Sequence, residues 1–235
     1  QPAFERQRQQ QDMDCIESVC FDLDNTLCVP ALDDDEIHER LFDRVAMEPR
    51  FTPSGVRSLD PATLPDADTV REFYENMYAA LGPGYTTAEH EELARVTDEI
   101  IDQTAVEFRD GAGELFEYTR SNYTVGLLTH GDPALQRAKL DTLDIGAALD
   151  VTVVCGPATD LPGKPAPEPF EHVLTELDAT ADRTLLVGDS LEGDIAGANS
   201  VGMQSAWMLR GDHETNPEPE PTYVVESPAE LRTLL

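Results

Sequence analysis

The chain has 235 residues, 40% of them hydrophobic, which suffices for one large domain or for a domain with an inserted module. Its 47 acidic residues against 16 basic ones give a formal net charge of −31. This charge argues against nucleic-acid binding, which needs a basic face. No apolar segment approaches the roughly 20 residues of a membrane-spanning helix, so we expect no membrane partner.

The basic residues show a strong preference for arginine: Lys139 and Lys164 are the two lysines among the 16 basic residues. A charge of −31 repels itself at ordinary ionic strength and weakens the compact state. In molar salt the screening length falls to about 3 Å, and the repulsion largely disappears. The composition is therefore typical of a cytoplasmic protein from a salt-accumulating halophile. An unusually acidic mesophilic protein is the alternative.

The N-terminal residues 1–14 are polar and rich in glutamine. They lack the apolar segment of a secretory signal, and we expect a flexible lead-in. The four cysteines form no C-x-x-C pair and show no zinc-binding spacing. We expect reduced, structural thiols, as in cytoplasmic proteins.

The first predicted element is a strand over 15–23, and from 31 to 107 the apolar residues follow helical spacing. Three helices are expected in this stretch, together with a proline-rich connection over 48–65. The predicted helices lie within 32–47, 65–82 and 86–108.

From Phe108 onward, helices alternate with short apolar strands, which is typical of a parallel sheet covered on both faces. The predicted fold class is α/β, a doubly wound, Rossmann-like parallel sheet in three α/β/α layers. Its core domain comprises 15–29 and 108–235, and 30–107 form an inserted helical domain. The predicted strands lie at 123–129, 151–156, 184–189, 204–209 and 223–225, with helices at 111–121, 133–143, 167–177, 192–202 and from 228.

Polar residues follow the predicted carboxyl ends of the strands, which is where sheets of this kind bind ligands. Carboxylates without a cluster of cysteine or histidine favour Mg²⁺ over softer metals. Carboxylates, a divalent cation and a lysine together suit phosphoryl transfer, and an aspartate can be the nucleophile. The candidate residues are Asp22, Asp24, Thr129, His130, Gly131, Lys164, Asp189 and Asp194.

Four segments in chain order resemble the signature motifs of the haloacid dehalogenase superfamily: FDLDNTLC, LLTHGD, GKPAPEPF and GDSLEGDIAGA. The resemblance covers 15–29 and 108–210. It implies that Asp22 is the nucleophile that accepts the phosphoryl group, and that Asp24 is the general acid/base, whose backbone carbonyl also binds Mg²⁺. Lys164 would neutralise both the nucleophile and the phosphate.

The resemblance assigns the remaining site residues as well. Thr26 would help fix the geometry near Asp22, and Thr129 would hydrogen-bond the phosphoryl group. Backbone amides of the following residues, His130 and Gly131, would assist in substrate binding. The metal set it implies is Asp22, Asp24, Asp189 and Asp194, with Asp194 supporting either the metal or Lys164.

Two features bear on the reaction. Many members of the superfamily have asparagine where this chain has His130, which could alter substrate fit or place a titrating group near the site. An aspartate at position 24 resembles the phosphatases and phosphomutases, whereas the dehalogenases lack it. The insertion resembles a mobile C1-type cap.

The expected function is a Mg²⁺-dependent phosphatase that hydrolyses a small phosphorylated metabolite through an aspartyl-phosphate. Phosphoglycolate, a nucleotide and a sugar phosphate all remain open as substrates. A phosphomutase of the sugar-phosphate type and a non-catalytic binding protein on the same fold are the alternatives. The expected partner is a small phosphate ester, and the chain is expected to be a monomer or a homodimer.

Overall fold

The structure is a computed structural model that describes residues 15–59, 63–65, 67, 69–210 and 217–235. The predicted lead-in over 1–14 lies outside the described residues. The described residues form two compact units, one from those up to Val29 together with those of Val106–Leu235, and the other from those of Pro30–Ala105. Within the described ranges, every helix is too short or too polar to cross a membrane.

The larger unit is built on a six-stranded sheet in the order β5-β4-β1-β6-β7-β8, and each neighbouring pair in it is parallel. A separate two-stranded sheet pairs β2 with β3. The strands are β1 (Ser18–Phe21), β2 (Cys28–Pro30), β3 (Val106–Phe108), β4 (Thr124–His130), β5 (Val151–Cys155), β6 (Thr184–Gly188), β7 (Gln204–Met208) and β8 (Tyr223–Val225).

The helices are α1 (Asp34–Arg44), α2 (Pro53–Arg57), α3 (Val70–Leu81), α4 (Thr87–Ile100), α5 (Ala112–Asn122), α6 (Pro133–Leu143), α7 (Pro167–Glu176), α8 (Ala196–Val201) and α9 (Pro228–Leu234). Short 3₁₀ turns cover Gly146–Ala148 and Ala181–Arg183, and a π-helical turn covers Leu191–Ile195.

Alternate residues of the central strands supply two separate apolar cores, one on each face of the sheet. Val19 and Phe21 of β1 pack with α5, α6 and α9, through residues such as Phe116. Cys20, on the opposite face, packs with α7 and α8 around Phe170. Both faces of the sheet are therefore covered by helices, and the predicted doubly wound α/β fold is confirmed.

The smaller unit has its own core of buried residues from α1, α3 and α4, including Leu41, Tyr78 and Leu93. Two of its helices begin with a capping box, in which the N-cap side chain and a glutamate three residues later exchange hydrogen bonds with the backbone. These boxes are Asp33 with Glu36 in α1 and Thr86 with Glu89 in α4.

The prediction that helical structure continues to 107 is wrong. Helix α4 ends at Ile100, and Val106–Phe108 form a strand. The Asp102 carboxylate accepts hydrogen bonds from the Thr104 amide at 2.9 Å and its hydroxyl at 2.7 Å. This local turn competes with further helix, and the β-branched and aromatic residues beyond it suit a strand.

The proline-rich connection over 48–65 also differs from its prediction, because it contains the short helix α2. The Thr52 side chain caps this helix by accepting a hydrogen bond from the Gly55 amide. Pro53 occupies the first turn, where a backbone N–H has no partner within the helix, so its absence in proline breaks no hydrogen bond.

We predict that Gly197→Ala destabilises the sheet unit. Helices α7 and α8 meet at Gly197, where an added Cβ would overlap the ring of fully buried Phe170. Overpacking of this kind costs about 1–3 kcal/mol, which exceeds the helix propensity gained on replacing glycine by alanine. Denaturant unfolding in molar KCl measures the change.

The matched control is Gly146→Ala, where the nearest atom to the new Cβ is 3.7 Å away. That variant should unfold at the wild-type midpoint. Equal stability of Gly197→Ala and the wild type would contradict the packing described here.

Candidate active site

A buried ammonium group joins three segments of the chain. Lys164 Nζ donates to Asp22 Oδ1 at 2.7 Å, to Asp194 Oδ1 at 2.6 Å and to the Leu128 carbonyl at 3.2 Å. The side chains of Lys164, Asp22 and Asp194 are only 7%, 8% and 1% exposed. Burial of a charge is costly unless it is paired and hydrogen-bonded, and Lys164 satisfies both conditions for these carboxylates.

Burial and charge act in opposite directions on these groups. Burial raises the pKa of the Asp22 carboxyl, the Lys164 charge opposes the rise, and the charge of Asp194 adds to it. For Lys164, burial alone would lower the pKa of the ammonium, but its two carboxylate partners together outweigh burial and raise it. The two carboxylates therefore favour the positively charged form of Lys164 beside Asp22.

Asp22, Asp189 and Asp194 form an acidic cluster, in which one carboxylate oxygen from each residue lies within 4.8 Å of the other two. Arg210, whose side chain is 59% exposed, contacts Asp189 Oδ2 at 3.1 Å. Burial raises the pKa of Asp189, Asp194 adds to the rise, and Arg210 opposes it. A hard divalent cation such as Mg²⁺ prefers oxygen ligands of this kind, so the donor set fits Mg²⁺.

A π-helical turn places Asp194 in the cluster. The amides of Asp194 and Ile195 both donate to the Ser190 carbonyl, and Asp194 Oδ2 accepts from the Ser190 amide at 3.1 Å. Gly188 at the end of β6 lets the carboxylate approach, since a Cβ there would overlap the Asp194 carboxyl group. The prediction of a plain helix over 192–202 is therefore wrong for its first turn, and π-helical turns are frequent at functional sites.

The Asp24 carboxylate is bound by two residues of helix α6, which are not the partners of Asp22. Its Oδ1 accepts from Lys139 Nζ at 2.6 Å and its Oδ2 accepts from Gln136 Nε2 at 2.9 Å. Asp24 is not a member of the described acidic cluster, so its predicted metal contact stays a prediction. Sequence reasoning did not assign Lys139 or Gln136 to the site, although Lys139 is one of only two lysines.

Two buried threonine hydroxyls, Thr26 Oγ1 and Thr129 Oγ1, lack a hydrogen-bond partner among the described residues. Thr129 lines an open cavity of about 350 Å³, where a ligand could satisfy its hydroxyl. The Thr26 hydroxyl makes no hydrogen bond within the described residues, and its role in fixing the geometry near Asp22 stays a prediction. The cavity is lined by Asp22, Asp24, Asn25, Thr129, His130, Lys164, Asp189, Ser190, Gly193 and Asp194.

His130 is the last residue of β4 and lines this cavity, and Gly131 follows it in the chain. The His130 ring lies against Gly156 and Gly163, at both of which a Cβ would crowd the imidazole. The Gly131 amide donates to the Cys155 carbonyl at 3.0 Å. That amide is therefore already used within the protein, and the substrate-binding role expected of Gly131 stays a prediction.

The comparison with protein families agrees with the motifs. The model of the haloacid dehalogenase-like hydrolases matches residues 16–202. This range contains β1, the smaller unit and every residue of the candidate site. The chain belongs to the haloacid dehalogenase-like hydrolases, a family of enzymes.

Several curated phosphatases are similar to parts of the chain. The pyrimidine 5'-nucleotidase YjjG of Escherichia coli is 32% identical over 127 residues, which are 53% of this chain and 55% of that protein. The N-acylneuraminate-9-phosphatase of Rattus norvegicus is 35% identical over 111 residues, which are 46% of this chain and 44% of that protein. The chain thus spans about half the length of the curated relatives it matches.

Among solved structures, the HAD-hydrolase YfnB from Bacillus subtilis, bound to magnesium, resembles the whole chain. The TM-score is 0.68 at 22% identity, with 94% of this chain and 98% of that chain covered. At this identity the likeness establishes the fold, in agreement with the sheet order described above.

We predict that His130 is neutral at pH 7. Burial lowers the pKa of its imidazole below the ordinary value of 6.5, and the Lys164 charge lowers it further. As the pH falls, His130 therefore binds a proton in the unfolded chain before it does so in the folded protein. His130 therefore contributes stability that is complete above about pH 6.5 and is lost as the pH falls through the window down to its folded pKa.

An NMR titration of the histidine ring protons in molar KCl measures this pKa. The His130 resonance is assigned by its disappearance in His130→Gln. A midpoint above 6.5 for that resonance would contradict the lowering of the pKa by burial and by the Lys164 charge.

Proposed function

We propose that this protein is a Mg²⁺-dependent phosphatase that hydrolyses a small phosphate ester through an aspartyl-phosphate on Asp22. The single observation that carries the proposal is the contact of buried Lys164 with Asp22 at 2.7 Å. The contact lies at a cavity that also presents the acidic cluster and the Thr129 hydroxyl, which has no partner among the described residues. This arrangement pairs a nucleophile with a fixed positive charge, as phosphoryl transfer requires.

In the first half-reaction, an Asp22 carboxylate oxygen attacks phosphorus, a new O–P bond forms, and the bond from phosphorus to the ester oxygen breaks. Asp24 gives a proton to the departing oxygen, which leaves as an alcohol. Lys164 stabilises the charge on Asp22 and on the transferring group. The Thr129 hydroxyl donates to a phosphoryl oxygen, which satisfies a buried group that has no other partner in the described part of the chain.

In the second half-reaction, Asp24 removes a proton from a water molecule that attacks the same phosphorus atom. The bond between phosphorus and the Asp22 oxygen breaks, inorganic phosphate leaves, and the Asp22 carboxylate is restored. Asp24 ends the cycle with the proton it gave away in the first step, so protons balance over the two steps.

Asp22, Asp189 and Asp194 would hold Mg²⁺ together with the backbone carbonyl of Asp24. When bound, the metal would withdraw negative charge from the phosphoryl oxygens. The cluster itself supports this assignment, since three carboxylates there face Lys164 and one exposed arginine, Arg210. The excess of negative charge favours a divalent cation at the same place.

The substrate belongs to the class of small phosphate monoesters, such as phosphoglycolate, a nucleotide or a sugar phosphate. The similarity to a nucleotidase and to a sugar-acid phosphatase supports this class. We further propose that residues 30–107 act as a cap that selects the substrate, that 15–29 and 108–235 act as the catalytic domain, and that the protein is cytoplasmic in a halophile. The surplus of 31 negative charges supports the last point.

We predict that Asp22→Asn lowers phosphate release by more than about 10³-fold, since an amide oxygen is a poor nucleophile. Phosphate release from a panel of phosphometabolites, in molar KCl with Mg²⁺, measures the loss. The matched control is Asp141→Asn, which removes a carboxylate from an exposed position on helix α6 and should retain the wild-type rate. Turnover by Asp22→Asn at the wild-type rate would refute the assignment of Asp22.

We predict that Asp24→Ala slows turnover by about 10²- to 10⁴-fold, because both half-reactions lose proton transfer. Steady-state kinetics on an alkyl phosphate measure the effect. A rate close to that of the wild type would remove Asp24 from the proposed mechanism.

We predict that Mg²⁺ raises the unfolding temperature of the wild type and not that of Asp189→Asn. A ligand at about 100 times its Kd stabilises the folded state by about 2.7 kcal/mol. Thermal unfolding with Mg²⁺ or EDTA, at constant KCl, measures the shift. The control, Asp144→Asn, lies outside the cavity and should respond as the wild type does. An equal shift in Asp189→Asn would contradict the proposed metal site.

A further inference from the structure

Both lysines of the chain, Lys139 and Lys164, contact the two carboxylates of the FDLDNTLC segment. Lys164 Nζ lies 2.7 Å from Asp22 and Lys139 Nζ lies 2.6 Å from Asp24. The remaining fourteen basic residues are arginines. The arginines of the described ion pairs have side chains from 42% to 59% exposed, whereas those of Lys164 and Lys139 are 7% and 10% exposed. A chain that otherwise uses arginine thus keeps lysine at two buried positions beside these acids.

Gln136 shares the contact with Asp24. It lies one turn before Lys139 on α6, and its side chain is buried. Gln136 Nε2 donates to Asp24 Oδ2 at 2.9 Å and to the His130 carbonyl at 2.7 Å. Because both partners are acceptors, the amide nitrogen must be the end that points to them. One oxygen of Asp24 is thus bound by Lys139 and the other by Gln136.

Besides these two donors, the Cys28 thiol contacts Asp24 Oδ1 at the longer distance of 3.9 Å, so Lys139 and Gln136 make the short contacts that orient the carboxylate. The Asp24 side chain is 40% exposed and lies in the turn that follows β1. A general acid/base must be within hydrogen-bonding distance of the atom that it protonates, and a small misplacement of a reacting group can cost about 10²-fold in rate. Helix α6 begins directly after β4, with Asp132 as its N-cap, so it is anchored to the strand that carries Thr129.

We propose that Lys139 and Gln136 are positioning residues that fix the carboxylate of Asp24 for proton transfer to the leaving oxygen. The inference rests on the proposed phosphatase function. The Lys139 ammonium donates to one carboxylate oxygen of Asp24, and the Gln136 amide donates to the other. The Gln136 amide also donates to the His130 carbonyl, which fixes it to the end of β4. Neither residue is among those that line the described cavity, so both act through Asp24.

The dependence of the rate on the leaving group distinguishes positioning from a merely structural role. An alkyl phosphate has a basic leaving oxygen that needs a proton from Asp24, whereas p-nitrophenyl phosphate has a weakly basic one that needs little help. Loss of positioning therefore affects the two substrates unequally. A loss of stability or of folded protein affects both equally.

The experiment measures kcat/KM of the wild type, Lys139→Met and Gln136→Leu on p-nitrophenyl phosphate and on an alkyl phosphate. In Lys139→Met we expect a loss of about 10- to 100-fold on the alkyl phosphate and of less than about 3-fold on p-nitrophenyl phosphate. Gln136→Leu should show the same pattern, more weakly, and serves as the second variant if Lys139→Met does not fold. Arg137→Met, at the exposed neighbouring position on α6, is the matched control and should behave as the wild type.

The double variant supplies a second test. If Lys139 acts through Asp24, Lys139→Met should cause no further loss on the alkyl phosphate in an Asp24→Ala background. Additive losses, equal losses on both substrates, or wild-type rates in both single variants would overturn the inference while leaving the phosphatase intact. A wild-type protein that releases no phosphate from either ester would instead overturn the proposed function itself.

Discussion

The arrangement of the site depends on one buried positive charge. The Lys164 ammonium donates hydrogen bonds to Asp22, to Asp194 and to the Leu128 carbonyl, with donor–acceptor distances from 2.6 to 3.2 Å. Removing one partner of a buried ion pair costs about 3–5 kcal/mol, because the other charge remains buried alone. Here the loss of Lys164 would leave two nearly buried carboxylates unpaired. The contacts of Lys164 therefore hold the segments after β1, β5 and β6 together, and the same contacts place its charge beside the proposed nucleophile.

Charge balance around Lys164 also supports the proposed Mg²⁺ site. One ammonium group cannot neutralise Asp22, Asp189 and Asp194, each of which places one carboxylate oxygen within 4.8 Å of the other two. Arg210 contributes from the solvent-exposed side of Asp189. The negative charge of Asp24 is balanced separately, because Asp24 forms an ion pair with Lys139. The two aspartates of the FDLDNTLC segment are two residues apart in sequence, yet they face different cations, which gives them different chemical environments and supports different roles.

Much of the fold could be predicted because the strands are short, apolar and separated by helices, a pattern that only a covered parallel sheet satisfies. The limits of helices were harder, since the Asp102 side chain ends α4 through a local turn that competes with helical spacing. Asp22, Lys164 and Asp189 could be proposed from the motifs, because strand ends in such a sheet share one edge. The contact of Lys139 and Gln136 with Asp24 spans more than a hundred residues of sequence, and no local pattern encodes it. The scarcity of lysine was the one signal that pointed to it.

The most direct test of Asp22 as the nucleophile is to trap the phosphoryl group on its side chain. Turnover of a phosphate ester is quenched during the steady state, the protein is reduced with borohydride, and its peptides are analysed by mass spectrometry. Borohydride reduces an acyl phosphate to an alcohol, which would convert the side chain of Asp22 to that of homoserine. We expect this conversion at position 22 alone, and only when substrate is present. Conversion at a different aspartate, or none at all during active phosphate release, would contradict the assignment of Asp22.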